Sequence, residues 1–235
     1  YALPVGIGVM SVVVNTDLFK KYGVALPDDK TWTWDDYTKV AKELTDKSGG
    51  KIHGTSTAPG FDAGSLKYWA RQQGGNLFGE DGNVSLKPAA LAGMWKYGQK
   101  LISTEASVKP STMVEDLTAG ITAGSFATGK TAMIGAYNTQ ITALQQATGA
   151  HLKLLQMPHV GTTKANFLKP SMYWAVSSQS KHPAEAAEFV NFLLNDQTAA
   201  DILKTERGTP ANKKMLQHLE SGLAGTDKAA VDYLN

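Results

Sequence analysis

One stretch of the sequence, residues 124–137 (Gly-Ser-Phe-Ala-Thr-Gly-Lys-Thr-Ala-Met-Ile-Gly-Ala-Tyr), fits two incompatible structures. Gly124 and the triplet Gly129-Lys130-Thr131 have the spacing of a phosphate-binding loop, in which backbone N–H groups surround a phosphate. Such a loop follows a buried strand and begins a helix, but no continuous apolar run precedes Gly124. The sequence also lacks an apolar strand that ends in a metal-binding Asp, so this nucleotide-binding interpretation is weak.

The apolar spacing predicts the reverse order of elements. Leu117, Ile121 and Phe126 indicate a helix. Gly129 lies where a helix needs a left-handed C-terminal cap, and residues 131–134 predict a short buried strand. The stretch is therefore expected to run from helix through turn to strand.

The same stretch belongs to a wider pattern that extends over most of the chain. In chain order, its N-terminal segments are residues 1–6, residues 14–19, and Gly23 and Pro27 with residues 33–37. The motif Phe126-x-x-Gly129-Lys130-x-Ala132-Met133 with Tyr137 comes next, followed by residues 173–177, 183–193 and 207–210. In this order they resemble the sugar-type extracellular solute-binding proteins of ABC importers, the maltose-binding-protein-like family 1. Each segment is weak alone, and their common register makes the resemblance specific.

The resemblance implies an α/β fold of the periplasmic-binding-protein type II, with two lobes and hinge crossings between them. It assigns residues 1–155 mostly to the C-terminal-type lobe (lobe II) and residues 156–209 to part of the N-terminal-type lobe (lobe I). Residues 210–235 are expected to return to lobe II. Crossings are expected at residues 1–6, 156–158 and 209–210, where proline fits an extended chain. Because the motif at residues 1–4 normally follows a first lobe, the N-terminal part and its export signal are expected to be missing.

Composition restricts the partners. The chain has 235 residues, no cysteine, and 23 Lys+Arg against 21 Asp+Glu, giving a net charge of +2 with scattered basic residues. Nucleic acid is therefore not expected as a partner. The absence of cysteine fits an oxidising compartment, and no apolar run is long enough to span a membrane. The resemblance implies an extracytoplasmic monomer, periplasmic or lipid-anchored, that serves ABC permease subunits.

Local signals predict alternating strands and helices. They comprise a buried strand at 9–14, a helix capped by Thr33 with Asp36, a hairpin turn at Asp81-Gly82, a helix beginning at Pro88, strands at 152–155 and 173–177, and a long helix from Pro183 with an apolar face of Ala186, Phe189, Val190 and Leu193.

Sugar recognition requires aromatic faces for stacking and polar side chains for in-plane hydrogen bonds. Tyr137 lies where the family commonly has a stacking aromatic, and the alternative is that it packs on the following helix. Asn138 beside it is a hydrogen-bonding candidate. The loop before residue 63 supplies Phe61 and Asp62, and Asp62 is alternatively a helix cap. Glycine at Gly8, where some relatives carry an acid, leaves backbone open to a ligand.

Three further candidates lie at residues 169–174, which replace the glycine-rich approach usual in the family, and at residue 207. Ser171 and Tyr173 are ligand candidates, and strand alternation places Trp174 on the face opposite Tyr173. Arg207 either contacts the ligand or fixes the hinge. Lys169 and Arg207 together are able to hold a phosphate, so a sugar phosphate or a polyol is an alternative ligand.

Catalysis is the alternative from another class. A glycoside hydrolase needs two carboxylates around one bond, and Asp62 has no evident second member. No Gly-x-Ser-x-Gly motif occurs, and the five histidines lack metal-ligand spacing. The sequence therefore predicts a binding protein without catalytic residues, metal or cofactor.

Overall fold

The computed structural model describes residues 2–56, 63–161, 163 and 165–234. The strands are β1 (Ala2–Gly8), β2 (Met10–Asn15), β3 (His53–Thr55), β4 (Thr131–Tyr137), β5 (Leu152–Leu155), β6 (Lys169–Ala175) and β7 (Thr209–Pro210). The helices are α1 (Thr16–Lys21), α2 (Trp34–Lys47), α3 (Ala63–Gln72), α4 (Pro88–Ser103), α5 (Pro110–Ala119), α6 (Ile141–Thr148), α7 (Pro183–Asn195), α8 (Gln197–Leu203), α9 (Lys213–Glu220) and α10 (Gly225–Asp232). No helix within the described residues has the length and apolar character needed to cross a membrane.

The chain forms two compact units. Unit 1 contains Tyr1–Val9, Tyr137–Thr142 and Leu168–Asn235, and unit 2 contains Met10–Ala136 and Ala143–Phe167. These units differ from the expected ranges 1–155, 156–209 and 210–235.

The segment 209–210 is not a boundary, because β7 pairs with β1 inside unit 1, with Gly6 opposite Pro210 and Ile7 opposite Thr209. The segment 156–158 lies within unit 2, before the boundary between Phe167 and Leu168. Assignment of the units to the two lobe types stays a prediction.

Unit 2 is built around a four-stranded sheet in the order β3-β4-β2-β5. Strands β3 and β4 are parallel, and β2 and β5 are antiparallel. All six residues of β2 are buried, as its run of β-branched residues predicts. The core of this unit includes the fully buried side chains of Val12, Val13, Leu44, Leu101, Met133 and Leu155.

Helix α2 begins with the predicted capping box. The Thr33 hydroxyl oxygen accepts from the Asp36 backbone N–H at 3.2 Å, and the Asp36 carboxylate accepts from the Thr33 backbone N–H at 3.0 Å. The hydrogen bonds from the Thr33 backbone and then its hydroxyl lower the pKa of Asp36 below its usual value. Both N-terminal backbone donors are thereby satisfied.

Replacing Thr33 by Ala is expected to lower the free energy of unfolding by about 1 kcal/mol, because the Asp36 N–H loses its acceptor. Urea denaturation of the variant measures this loss. Thr33→Ser keeps the hydroxyl and is the matched control. A loss of the same size in Thr33→Ser would contradict the capping role.

The stretch before β4 follows the predicted order but not the predicted helix length. Helix α5 ends at Ala119, and Gly120 follows at φ 80°. Ile121 and Phe126 therefore lie in turns instead of the expected helix, because the left-handed Gly120 ends it first. Gly129 has φ 71°, as predicted for a cap, and β4 then begins at Thr131. Since the glycines precede a strand and not a helix, the local structure contradicts a phosphate-binding loop.

Unit 1 contains a three-stranded antiparallel sheet in the order β6-β1-β7. The register of β1 and β6 shifts twice, on either side of the Gly6–Met172 pair. Helix α7 begins at Pro183 as predicted, but none of its residues is buried. Phe189 and Phe192 stack with ring centroids 6.5 Å apart and are 61% and 42% exposed. Of the expected apolar face, Ala186, Val190 and Leu193 are half-buried, whereas Phe189 is exposed.

Candidate functional site

The aromatic candidate Tyr137 is the last residue of β4 and belongs to unit 1. Its backbone N–H donates to Gln140 Oε1 at 3.0 Å, which fixes the turn after the strand. The Lys169 ammonium lies over the Tyr137 ring, 4.7 Å from the centroid. This cation–π contact brings together two residues that the sequence identified separately.

Lys169 is held in this place by the sheet. It is the first residue of β6 and pairs with Gly8 of β1. Among the described residues no carboxylate forms an ion pair with its ammonium. The side chain is exposed, so the Tyr137–Lys169 pair offers an aromatic ring and a positive charge at one position.

Asn138 and Gly8, two further ligand candidates, are both buried in unit 1. Asn138 is fully buried, its Oδ1 accepts from the Val9 N–H at 2.8 Å, and its Nδ2 donates to the Ala230 carbonyl at 2.7 Å. Gly8 is buried, and a Cβ there would lie 3.3 Å from Asn138 Oδ1 and from Thr139. Both residues therefore support the packing of unit 1, and a ligand role for either stays a prediction.

Ser171 and Arg207 form a second group in unit 1. The Ser171 hydroxyl donates to the Arg207 carbonyl oxygen, and Arg207 Nη1 lies 3.7 Å from the Met172 sulfur. Gly208 follows at φ 101°, and a Cβ there would overlap Ser171. The Ser171 hydroxyl thus already has a hydrogen-bond partner within unit 1. Arg207 Nε, in contrast, is buried and has no partner among the described residues. Of the two roles predicted for Arg207, these contacts favour fixing the chain beside β6.

Of the remaining candidates the structure describes only Tyr173, with its neighbour Trp174. Tyr173 is 56% exposed and pairs with Pro4, while Trp174 pairs with Leu3, so the two side chains lie on opposite faces as strand alternation predicts. Phe61 and Asp62 lie outside the described residues.

Unit 2 contains a cavity of about 210 Å³ that the sequence did not indicate. It lies beside the ends of β3 and β4 and is lined by Ser56, Met113, Asp116, Leu117, Gly120, Ile121, Gly124, Ser125, Phe126, Ile134 and Gly135. The apolar residues that predicted a longer helix therefore border a cavity. Gly120 and Ile121, which follow the early end of α5, are among its lining residues.

Two polar atoms of this cavity lack partners among the described residues. Asp116 Oδ1 accepts from the Ser125 N–H at 2.8 Å and from its hydroxyl at 2.9 Å, but Asp116 Oδ2 is buried and unpaired. Ser56 is 6% exposed, and its hydroxyl is likewise unpaired. Its backbone N–H donates to the Met133 carbonyl at 3.1 Å, which ties Ser56 to β4. In the sequence, only the separation of Asp116 from Ser125 in a turn-rich segment hinted at this arrangement.

Sequence comparison identifies relatives over most of the chain. Residues 1–200 match the family model described as bacterial extracellular solute-binding protein. The lactose-binding protein of Rhizobium radiobacter is 26% identical over 212 residues, covering 88% of this chain and 49% of that protein. The chain therefore spans about half the length of this curated relative.

Solved structures with the same fold are more distantly related. A family 1 extracellular solute-binding protein from Alicyclobacillus acidocaldarius has a TM-score of 0.77 at 23% identity, covering all of this chain and 58% of that one. An oligogalacturonide-binding protein from Yersinia enterocolitica, solved with saturated digalacturonic acid, has a TM-score of 0.82 at 20% identity, covering 100% and 59%. The α/β fold of the type II periplasmic binding proteins, predicted from the sequence, is confirmed.

Proposed function

Because this chain belongs to the bacterial extracellular solute-binding protein family, we propose that it binds a carbohydrate outside the cytoplasm for an ABC importer. The sugar would be captured without covalent chemistry and delivered to the membrane permease subunits. We expect the protein to act as a monomer, in the periplasm or anchored to the cell surface. The lactose and oligogalacturonide receptors among its relatives support a sugar as the ligand.

The observation that carries this proposal is the position of Tyr137. A half-buried aromatic ring stands at the end of β4, and the backbone N–H of the same residue bonds to Gln140 in the turn after the strand. Such a ring stacks on the C–H face of a sugar at little entropic cost. Closure of two lobes around the ligand stays a prediction of the resemblance. A ligand drives closure only by binding the closed form more tightly.

A thermal-shift panel tests the proposal directly. It should contain mono- and oligosaccharides, polyols, a sugar phosphate, spermidine and ATP-Mg²⁺. A ligand at a hundredfold excess over its Kd stabilises a protein by about 2.7 kcal/mol, which is a shift of several degrees at this size. A shift with one sugar class alone supports the proposal. A shift only with ATP-Mg²⁺, or turnover of a chromogenic glycoside, would contradict it.

An acidic sugar is the second candidate, favoured by the unpaired charge of Lys169. Its ammonium lies over the Tyr137 ring, 4.7 Å from the centroid, so a sugar that displaces it from the ring face would have its carboxylate or phosphate within reach of the flexible Lys169 side chain. Charge-assisted hydrogen bonds are about twice as strong as neutral ones. A uronic acid or a sugar phosphate would contact both the Tyr137 ring and the Lys169 ammonium. The earlier alternative of a sugar phosphate is thereby widened to acidic sugars in general.

Replacing Lys169 by Met is expected to weaken binding of galacturonic acid or galactose 6-phosphate about tenfold, because the anion loses its charged partner. Binding of galactose should change little. Isothermal titration calorimetry at low and high salt measures both affinities. Lys181→Met removes another exposed charge of unit 1 and is the control. Equal losses for neutral and acidic sugars would contradict an acidic ligand.

A further inference from the structure

We propose that Asn138 is a positioning residue, which holds the Tyr137–Lys169 pair in place for the sugar without contacting the sugar itself. This inference rests on the proposed function and adds a residue to the same site. All the contacts that carry it lie within unit 1. The side chain of Asn138 is fully buried, and both of its polar atoms have hydrogen-bond partners.

Two hydrogen bonds in opposite directions join Asn138 to Val9. The Asn138 backbone N–H donates to the Val9 carbonyl oxygen at 3.0 Å, and the Val9 N–H donates to Asn138 Oδ1 at 2.8 Å. Val9 lies between β1 and β2, so the amide satisfies a backbone donor at the point where β1 ends. Because hydrogen bonds weaken steeply away from their preferred geometry, the two bonds together restrict both distance and rotation. The residue directly after Tyr137 is therefore fixed to the end of β1.

The same end of β1 holds Lys169. Gly8, directly before Val9, pairs with Lys169 of β6. Neighbouring residues of one segment thus hold the backbones that carry the Tyr137 ring and the Lys169 ammonium, which lies 4.7 Å from the ring centroid. A cation and an aromatic ring attract each other only within about 6 Å of the centroid, so a small displacement of Tyr137 would separate the pair. Asn138 is the link that prevents this displacement.

A third hydrogen bond joins the amide to helix α10. Asn138 Nδ2 donates to the carbonyl oxygen of the buried Ala230 at 2.7 Å. The amide therefore rotates away from Val9 only by leaving buried polar atoms without partners, which is unfavourable. Groups that are held in position before binding lose less conformational freedom when the ligand arrives. We therefore expect Asn138 to contribute to affinity although its side chain is buried.

A double-mutant cycle separates positioning from a merely structural role. Asn138→Ala removes both side-chain hydrogen bonds. We expect it to weaken binding about tenfold, measured by calorimetry with the sugar that gives the largest shift in the thermal-shift panel. In a Tyr137→Ala background the same change should alter the Kd less than about twofold, because Asn138 acts through Tyr137. A residue that only stabilised the fold would cost the same affinity in both backgrounds.

NMR detects the positioning in the protein without sugar. In protein labelled with 13C-lysine, the ε-methylene protons of Lys169 are assigned by their loss in Lys169→Met. They should be shifted upfield, because the Lys169 ammonium lies over the Tyr137 ring. We expect Asn138→Ala to remove most of this ring-current shift, since Tyr137 is then no longer fixed to β1.

A second variant decides the question in case Asn138→Ala does not fold. Gly8→Ala places a Cβ 3.3 Å from Asn138 Oδ1, and the backbone of Gly8 is not left-handed, so alanine fits its conformation. We expect a smaller loss of affinity, about threefold, and a reduced ring-current shift. Asn212→Ala is the matched control in unit 1. It removes hydrogen bonds to the Leu194 carbonyl oxygen at 3.1 Å and to Asn195 Oδ1 at 2.7 Å, and should change neither the Kd nor the shift.

The outcomes separate this inference from the proposed function. Loss of the ring-current shift, with a loss of affinity that disappears in the Tyr137→Ala background, supports Asn138 as a positioning residue. If a panel sugar binds but the Kd or the shift is unchanged in Asn138→Ala, or the loss is equal in both backgrounds, the inference is wrong and the proposed function stands. The same criteria apply to Gly8→Ala if it alone folds. If no sugar binds, both proposals are wrong.

Discussion

Replacing Gly54 by Ala should lower the free energy of unfolding of unit 2 by about 3 kcal/mol or more. A Cβ at Gly54 would lie 2.1 Å from the Ala41 carbonyl oxygen and 2.2 Å from its Cα. Both atoms belong to the backbone of α2, so no side-chain rotation relieves the overlap. Helix α2 would have to move away from β3, and the hydrogen bond from the Gly54 N–H to Thr45 Oγ1 would lengthen from 3.1 Å.

Urea denaturation followed by tryptophan fluorescence measures this loss, since Trp32, Trp34, Trp69 and Trp95 all lie in unit 2. Gly93→Ala is the matched control. A Cβ at Gly93 approaches only Trp69, at 4.0 Å, and alanine is favoured over glycine inside a helix by about 1 kcal/mol. Gly93→Ala should therefore be neutral or stabilising. If Gly54→Ala were as stable as the parent, the close packing of α2 on β3 would be wrong.

The second large effect concerns binding. Replacing Tyr137 by Ala is expected to weaken the affinity for the sugar by about 1 to 3 kcal/mol, or roughly 5- to 150-fold, because the stacking surface is lost. The fold should be unaffected, since the side chain is only half-buried. Calorimetry with the sugar identified by thermal shift measures the change.

Tyr137→Phe separates stacking from the hydroxyl. Phenylalanine keeps the ring and is expected to bind within a few-fold of the parent. If Tyr137→Ala binds the sugar with unchanged Kd, Tyr137 does not contact the ligand. If Phe is as weak as Ala, the hydroxyl and not the ring face is the recognition element.

Signals carried by short segments predicted much of the local structure. The buried run of β2, the Thr33–Asp36 capping box, Pro88 at the start of α4 and the left-handed Gly129 all occur as expected. Each depends on a few neighbouring residues, through side-chain alternation, hydrogen bonds to adjacent backbone or steric limits on φ. Such interactions are specified by the residues themselves and need no distant partner.

Contacts with distant residues are what the sequence did not show. Nothing local to Asn138 shows that its amide joins Val9 to Ala230, and nothing near Gly8 shows that Thr139 fills the adjacent space. The same applies to residues 209–210, which were expected to form a crossing and instead pair with β1. Ser171 was expected to face a ligand, yet its hydroxyl binds the carbonyl of Arg207.

The sequence by itself determined the family, the α/β fold and the position of one aromatic candidate, because motif spacing and periodicity are properties of contiguous residues. Only the tertiary structure decided which polar atoms are satisfied by the fold. The Asn138 amide bonds to Val9 and Ala230, whereas among the described residues the Lys169 ammonium lies over the Tyr137 ring without a carboxylate partner, and Asp116 Oδ2 is buried without a hydrogen bond. Burial and pairing depend on residues far apart in the chain, so the availability of a side chain to a ligand emerges only when the chain is folded.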